Sequence, residues 1–254
     1  MFGNYFMQAL FRASNTTERQ RVLQALAPDI SDIACNRNGT YALQSIVDEV
    51  HPGAKQEIAI LRQALASNVM RTINDDHGTH VIQRFQRRFA AADCDFLFRV
   101  ASSYCLQMAA SSNGVAVLSL VIDRAPRALR DELIDEVVAN AIYLSQHPYG
   151  NYVVQHLLGG RKGSKDRRQH QQHGGGGVAS KGNVHLGGEK LVGRICATLR
   201  GNFVALARHK YSSNVIEEVG VGVLLLCPPP APLLRCAVGL PAPRLAPILG
   251  TDSR

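Results

Sequence analysis

The hydrophobic and polar positions of this chain recur with a period of about 36 residues. The clearest copy is Gly150–Gln155, which reads glycine, polar, aromatic, two apolar residues and glutamine. The same pattern occurs at 3–8, 39–44 and 78–83, and looser copies occur at 114–119 and 212–217. The leading residues are separated by 36, 39, 36, 36 and 62 positions. A repeat of this length is typical of a solenoid built from stacked helical units.

Two short apolar segments at helical intervals precede the copies that follow the first one, which predicts three helices in a repeat. Before Gly39 they are Arg21–Leu26 and Ile30–Ala34, separated by a break at Pro28. The residues six positions before the leading residues are mostly apolar or small, as expected of a column that packs between helices. That column contains Ile33, Thr72, Met108, Leu144 and Leu206. The sequence therefore predicts an all-α fold.

The repeats span residues 1–219, which we expect to form one elongated domain. The long last interval contains an insertion at 159–190 that is rich in Gly, His and basic residues, and we predict a flexible loop there. This insertion would contact RNA backbone, form a metal site through its histidines, or have no defined role. We favour the last alternative. The segment 220–254 is rich in proline, and we predict a disordered tail.

Within each copy, the first and fifth residues after the leading residue lie one helical turn apart, and the second lies beside them. Counted this way, positions one and five are mostly polar, and position two is mostly aromatic. The pairs at positions one and five are Asn4/Gln8, Thr40/Gln44, Thr79/Gln83, Asn151/Gln155 and Ser213/Glu217. Position two holds Tyr5, Tyr41, His80, Tyr152 and Asn214. The copy at 114–119 has Val115, Ala116 and Ser119 instead.

This pattern is suited to reading single-stranded RNA. Amide side chains offer both a donor and an acceptor, which matches the Watson–Crick edge of uracil, whereas the acceptor-only Glu217 suits the adjacent donors of guanine. Flat rings at position two can stack between bases. The formal net charge of +8 favours a polyanionic partner, which by charge alone could be nucleic acid or an anionic membrane.

Other classes of protein have less support. The six cysteines form no C-x-x-C pair, so we expect no metal site, no disulfide framework and a reducing compartment. No apolar run approaches the roughly 20 residues of a membrane span, and no secretory signal is recognised at the start. There is no nucleophile–base set, carboxylate pair or phosphate-binding loop. We therefore expect no enzymatic activity, no cofactor and no membrane partner.

The motifs Asn151–Gln155 and Ser213–Glu217, set in 36-residue three-helix units, resemble the Pumilio (PUF) RNA-binding repeats over residues 1–219. The resemblance implies a right-handed, crescent-shaped α-solenoid of about six repeats, equivalent to the second to seventh repeats of the family. It also implies a monomer, cytoplasmic or alternatively nucleolar, that binds mRNA 3′ untranslated regions and regulates translation or stability. Repressor or deadenylase proteins would bind the convex face.

In that family the RNA runs antiparallel to the protein and contains a UGUA-type site. The resemblance then assigns G to Ser213/Glu217, U to Asn151/Gln155 and to Asn4/Gln8, and A to Thr40/Gln44. It leaves the base at Thr79/Gln83 undetermined and predicts tolerance of any base at Val115/Ser119. The implied core is 5′-GU-n-n-(A)-U-3′. Two alternatives stay open: a PUF-like ribosome-assembly factor with weak sequence preference, and a protein-interaction scaffold of the armadillo or HEAT kind.

Overall fold

The computed structural model describes residues 3–159 and 189–226, where every regular element is a helix. The predicted all-α fold is therefore confirmed. The α-helices are α1 Gly3–Ala13, α2 Thr16–Leu26, α3 Ile30–Cys35, α4 Gly39–Glu49, α5 Lys55–Ala66, α6 Val69–Asn74, α7 Gly78–Arg88, α8 Asp95–Ala109, α9 Gly114–Arg124, α10 Arg127–Ala139, α11 Ala141–Gln146, α12 Gly150–Leu157, α13 Glu189–Leu199, α14 Phe203–Arg208 and α15 Ser212–Leu226. Short 3₁₀ turns lie at Ala27–Asp29 and Ala91–Cys94.

Six helices carry the sequence motif, and each begins at the predicted leading residue. We call α1, α4, α7, α9, α12 and α15 the motif helices and number repeats 1 to 6 after them. Two helices precede each motif helix in repeats 2, 3, 5 and 6. In repeat 4 the helix α8 supplies both, because it is kinked at Tyr104, where φ is −133° and ψ is 27°. The three-helix unit predicted from the sequence is confirmed.

The helices stack in rows. Each motif helix contacts the next one along the chain, from α1 through α15. The outer helices α2, α5, α8, α10 and α13 also contact one another in order. Between the two rows runs one continuous apolar core, in which residues such as Leu23, Ile46, Leu61 and Phe85 are almost completely buried. This arrangement is an α-solenoid, in which the repeats are stabilised mainly by their neighbours.

In repeats 2 to 6, a side chain three residues before the leading residue accepts a backbone N–H group at the start of the motif helix. The amide N–H of Gly39 donates to Asn36 Oδ1 at 3.0 Å, and that of Gly150 donates to His147 Nδ1 at 3.2 Å. Asp75, Ser111 and His209 accept backbone N–H groups in the same way. These bonds satisfy donors that would otherwise have no partner at a helix start.

The leading glycines of repeats 2 to 5 are required by close contact between helices. A Cβ atom on Gly78 would lie 2.6 Å from the carbonyl oxygen of Thr72 and 3.2 Å from Cys35 Sγ. The glycines that start α4, α9 and α12 likewise face the residue six positions earlier. In repeat 6 the leading residue is Ser212, which is fully buried and donates from Oγ to the carbonyl of Leu206 at 2.7 Å. The packing column predicted from the sequence is confirmed.

Arginines satisfy the last carbonyls of the motif helices across the repeat boundary. Arg88 donates to the carbonyl of Val50 at 3.1 Å, and Arg124 donates to that of Phe89 at 2.6 Å. Arg19 bonds the carbonyls of Phe11 and Ser14, and Arg130 bonds that of Ala125. A cation is favourable at a helix C-terminus because of the helix dipole. Part of the positive charge of the chain therefore joins repeats to one another.

The described residues bear on two boundaries predicted from the sequence. Helix α12 ends at Leu157 and α13 begins at Glu189, which leaves most of the predicted insertion at 159–190 outside the described residues. Helix α15 continues to Leu226, so the prediction that a disordered tail begins at residue 220 is wrong for its first residues. Residues 227–254 lie outside the description. No helix in the described ranges is long and apolar enough to cross a bilayer.

Gln86 is a polar residue in an otherwise apolar column. It is 0% exposed, and neither its Nε2 nor its Oε1 has a hydrogen-bond partner among the described residues. Phe11, Val47 and Ile122 occupy the equivalent buried place in three other motif helices. We expect Gln86→Leu to raise the free energy of unfolding by about 1–3 kcal/mol, because it removes an unsatisfied buried amide.

Urea unfolding followed by circular dichroism would measure this change. Gln83→Leu is the matched control, because Gln83 lies on the same helix but is hydrogen-bonded and half-buried, and it should not show the gain. A stability loss in Gln86→Leu would mean that ordered water satisfies the amide.

Candidate nucleic-acid interface

The predicted stacking residues lie exposed along the row of motif helices. The side chains of Tyr41 and Tyr152 are 44% and 42% exposed, and Tyr5, His80 and Asn214 are also exposed. The two residues that follow them in α4, α7 and α12 are buried in the core between the helix rows. In these three repeats the motif helix therefore presents position two to solvent and packs into the core through positions three and four, whereas in α1 the position-three residue Phe6 is 65% exposed.

The predicted base-edge residues form hydrogen-bonded pairs in three repeats. Gln44 Nε2 donates to Thr40 Oγ1 at 3.0 Å, and Gln83 Nε2 donates to Thr79 Oγ1 at 3.1 Å. In repeat 5, Gln155 Nε2 donates to Asn151 Oδ1 at 2.8 Å. Thr40, Thr79 and Asn151 are only 1–2% exposed, whereas the three glutamines are half-buried. Position one thus supports position five from beneath.

These pairs fix the orientation of the glutamine amides. Thr40 Oγ1 donates its proton to the carbonyl of His77 at 3.0 Å, so it can only accept from Gln44. Asn151 Nδ2 donates to the carbonyls of His147 and Pro148 at 2.8 and 2.9 Å, so its Oδ1 must face Gln155. Because carbonyls only accept, the network defines each amide. Gln44 and Gln155 each retain a second N–H and an Oε1 oxygen for a ligand.

The two end repeats are arranged differently. Asn4 Oδ1 accepts from the backbone N–H of Tyr5 at 2.8 Å, while Gln8 is half-buried, so this pair is not joined as the inner pairs are. In repeat 6, Ser213 Oγ donates to the carbonyl of Lys210 at 3.4 Å, and Glu217 is exposed. The carboxylate of Glu217 therefore lies at the surface of the same helix row.

Repeat 4 offers little to a base. Val115 and Ser119 are buried, and Ser119 Oγ donates to the carbonyl of Val115 at 2.9 Å. Ala116 is half-buried and has no ring. The hydroxyl proton of Ser119 is used within its own helix, and no side chain of this repeat can stack. This geometry supports the prediction that repeat 4 tolerates any base.

The surroundings of His80 favour the uncharged form of its ring. Its pKa is lowered below the ordinary value chiefly by desolvation, and further by the nearby His77 and Arg87. A neutral imidazole is a flat π surface like the tyrosines at the same position of repeats 1, 2 and 5. The side chain can therefore serve as a stacking residue without carrying charge.

The motif helices also carry pairs that sequence reasoning missed. Arg84 Nε lies 3.6 Å from Asp48 Oδ1, and His156 Nε2 lies 2.8 Å from Asp123 Oδ1. Both pairs join the residue six places after one leading residue to the residue nine places after the previous one. They form a second set of contacts beside the amides. In the sequence, a basic residue six places after one leading residue and an aspartate nine places after the previous one could have predicted these pairs.

The fold and this surface define a class: an α-solenoid whose motif helices present aromatic and amide side chains in one register. The sequence model for the Pumilio-family RNA binding repeat matches residues 1–27, 29–59, 140–159 and 202–219. In these segments the chain is similar to Pumilio-family repeat proteins. Between the matched segments, residues 60–139 fold into the same three-helix units.

Relatives and solved structures agree with this assignment. A putative pumilio homolog 8 of Arabidopsis thaliana is 28% identical over 244 residues, which is 94% of this chain and 41% of that protein. A Pumilio domain-containing protein of Schizosaccharomyces pombe is 34% identical over 157 residues, 62% of this chain and 23% of that protein. The chain thus spans less than half the length of either relative.

Among solved structures, the Puf4 RNA binding domain bound to an HO endonuclease RNA 3′ UTR recognition sequence is 25% identical, with a TM-score of 0.68. The match covers 88% of this chain and 65% of that one. The RNA-binding domain of yeast Puf5p bound to MFA2 RNA has the same TM-score at 21% identity, with coverage of 89% and 56%. The second likeness concerns the fold alone.

Proposed function

We propose that this chain binds single-stranded RNA in a sequence-dependent manner through the row of motif helices. The observation that carries the proposal is the register of the exposed rings and oriented amides in successive repeats. Each repeat can place one base edge against position five while the rings at position two stack between bases. The RNA-bound Puf4 domain, similar over 88% of this chain, supports this assignment.

The expected RNA core is 5′-GU-n-n-(A)-U-3′, read from repeat 6 to repeat 1. The G is assigned to Ser213/Glu217, the two U positions to Asn151/Gln155 and Asn4/Gln8, and the A to Thr40/Gln44. Tyr5, Tyr41, His80, Tyr152 and Asn214 would lie between the bases. The motif helix of repeat 4 presents neither a ring nor an amide to a base, which supports the assignment of an unspecified base at the third nucleotide.

The biological role that follows is post-transcriptional regulation of mRNA stability or translation, without catalysis. The RNA in the similar Puf4 complex is described as a 3′ UTR recognition sequence, which supports mRNA as the target class. We propose a cytoplasmic monomer whose outer helices recruit repressor or deadenylase proteins. A ribosome-assembly factor with weak sequence preference is the second candidate, and the featureless repeat 4 favours it. An armadillo-like protein scaffold would not require the ladder of amides and rings.

Selection of RNA from a random single-stranded pool, at a stated salt concentration, tests the proposal directly. Enrichment of a GU-n-n-n-U core would support both the register and the antiparallel orientation. A helical sample that enriches no sequence but binds RNA would favour the assembly factor. A helical sample that binds no RNA would contradict the proposed function.

Glu217→Gln tests the assignment of guanine to repeat 6. A carboxylate accepts from both N1–H and N2–H₂ of guanine, whereas an amide offers only one acceptor atom. We expect the preference for G to fall by about 1–3 kcal/mol, by analogy with direct base readout. Affinities for four RNAs that differ only at the first core nucleotide would measure it.

Glu218→Gln is the matched control, because it removes the same charge from the neighbouring position of α15. It should leave the ranking of the four bases unchanged. If Glu217→Gln also left the ranking unchanged, the assignment of G to this repeat would be wrong.

A further inference from the structure

The amide of Gln83 in repeat 3 is held at both ends. Its Nε2 donates to Thr79 Oγ1 at 3.1 Å, and its Oε1 accepts from Arg87 Nη2 at 3.1 Å. A guanidinium group has donors only, so the oxygen of the amide must be the atom that faces Arg87. The direction of this amide is therefore determined by chemistry.

Arg87 lies on the same face of α7 as the residues that repeat 3 would use on a base. Thr79, Gln83 and Arg87 are spaced by four residues and so lie along one face of α7. Arg87 is exposed, and its charge is among the causes that lower the pKa of the stacking residue His80. The guanidinium carries five N–H groups, and its bond to Gln83 uses one of them.

Read along the helix, repeat 3 presents a donor, an acceptor and a donor. These are the second N–H of Gln83, the Oε1 of Gln83 and an N–H of Arg87. The complementary base edge is acceptor, donor, acceptor, which is the edge of uracil with O2, N3–H and O4. Guanine has one acceptor followed by two donors, cytosine has two adjacent acceptors, and adenine lacks the third acceptor. The hydrogen-bond pattern therefore fits uracil best.

We propose that Arg87 is a specificity-determining residue that acts with Gln83 to select uracil at the nucleotide facing repeat 3. The inference rests on the proposed RNA-binding function and refines the expected core to 5′-GU-n-U-(A)-U-3′. Thr79 supports the Nε2 end of the Gln83 amide, and Arg87 contacts the base edge next to its Oε1 end.

Repeat 2 provides an internal comparison. It has the same threonine–glutamine pair, Thr40 and Gln44, in the same hydrogen bond. The position equivalent to Arg87 is Asp48, which has acceptors only and lies 3.6 Å from Arg84. The two repeats thus differ in the sign of the third group, and the same amide should select a different base in each.

The test uses the full chain and four RNAs that carry the core and differ only at its fourth nucleotide. The unaltered protein should bind the RNA with U most tightly. Arg87→Ala should weaken binding of that RNA about tenfold, as for loss of a charge-assisted hydrogen bond, and change the other three much less. Arg87→Lys keeps the charge but not the planar fork of donors, and it should restore only part of the preference.

Arg62→Ala is the control, because it removes the same charge from the outer helix α5, where Arg62 pairs with Asp95. It should affect all four RNAs equally and slightly. A uniform loss in Arg87→Ala that Arg87→Lys fully restores would assign Arg87 to the phosphate backbone and overturn the inference. Selection of G at the first nucleotide without preference at the fourth would also overturn it, while leaving the proposed function intact. Failure to bind any of these RNAs would contradict both the inference about Arg87 and the proposed function.

Discussion

Converting repeat 4 into a copy of repeat 5 is expected to create a new uracil-reading position. The triple change Val115→Asn, Ala116→Tyr and Ser119→Gln supplies the support, the ring and the amide that repeat 5 has. Asn151 bonds two carbonyls of its preceding turn, and the equivalent carbonyls of Ser111 and Ser112 precede position 115. A stacked base and a paired edge are each worth about 1–3 kcal/mol, so affinity for RNA with U as the third core nucleotide should rise on the order of a hundredfold.

Partial variants separate the two contributions. Ala116→Tyr alone should strengthen binding of all four bases at the third nucleotide to a similar extent, because stacking is tolerant of base identity. The pair Val115→Asn and Ser119→Gln should add the preference for U. Binding of RNAs that differ only at the third nucleotide would be measured at one salt concentration. A triple variant that stays helical and gains nothing would show that the third nucleotide does not lie against repeat 4.

Replacing the leading glycine of repeat 3 should destabilise the array strongly. A Cβ on Gly78 would lie 2.6 Å from the backbone oxygen of Thr72, and the contact can be relieved only by shifting α6 away from α7. We expect Gly78→Ala to lower the free energy of unfolding by about 3 kcal/mol, at the upper end of the usual cost of overpacking. Denaturant unfolding would measure it.

Gly193 is the matched control, because it lies within α13 and a Cβ there would meet nothing within 4 Å. Gly193→Ala should instead stabilise the protein by about 0.5–1 kcal/mol, since alanine loses less conformational freedom in a helix. Equal effects of the two changes would show that the approach of α6 to α7 does not require glycine.

The parts of this structure that follow from local pattern were predictable from the sequence. Positions two to four of each motif are consecutive residues that point in directions about 100° apart around one helix, so the exposed tyrosines and buried valines could be assigned from spacing alone. The starts of the motif helices and the column at Ile33 and Thr72 follow from the period. Val115 and Ala116 break the pattern, and the structure shows a correspondingly plain surface there.

Features that depend on side-chain rotamers or on the neighbouring repeat could not be predicted. Thr40 and Asn151 were expected to face the ligand, yet they are buried, because the next cap loop or their own preceding turn takes up their polar groups. The bond from Arg87 to Gln83 and the buried Gln86 require knowledge of rotamers and of the angle between stacked helices. Spacing along one helix contains neither.

The arginines that complete the preceding motif helix determine where this array can be divided. The last turn of α4 is closed by Arg88 of repeat 3, and that of α7 by Arg124 of repeat 4. A cassette cut at the end of a motif helix would leave those carbonyls without their donor and the following arginine without its acceptor. Recombinant arrays assembled from these repeats should therefore keep repeats 2 to 4 together, as one exchangeable unit.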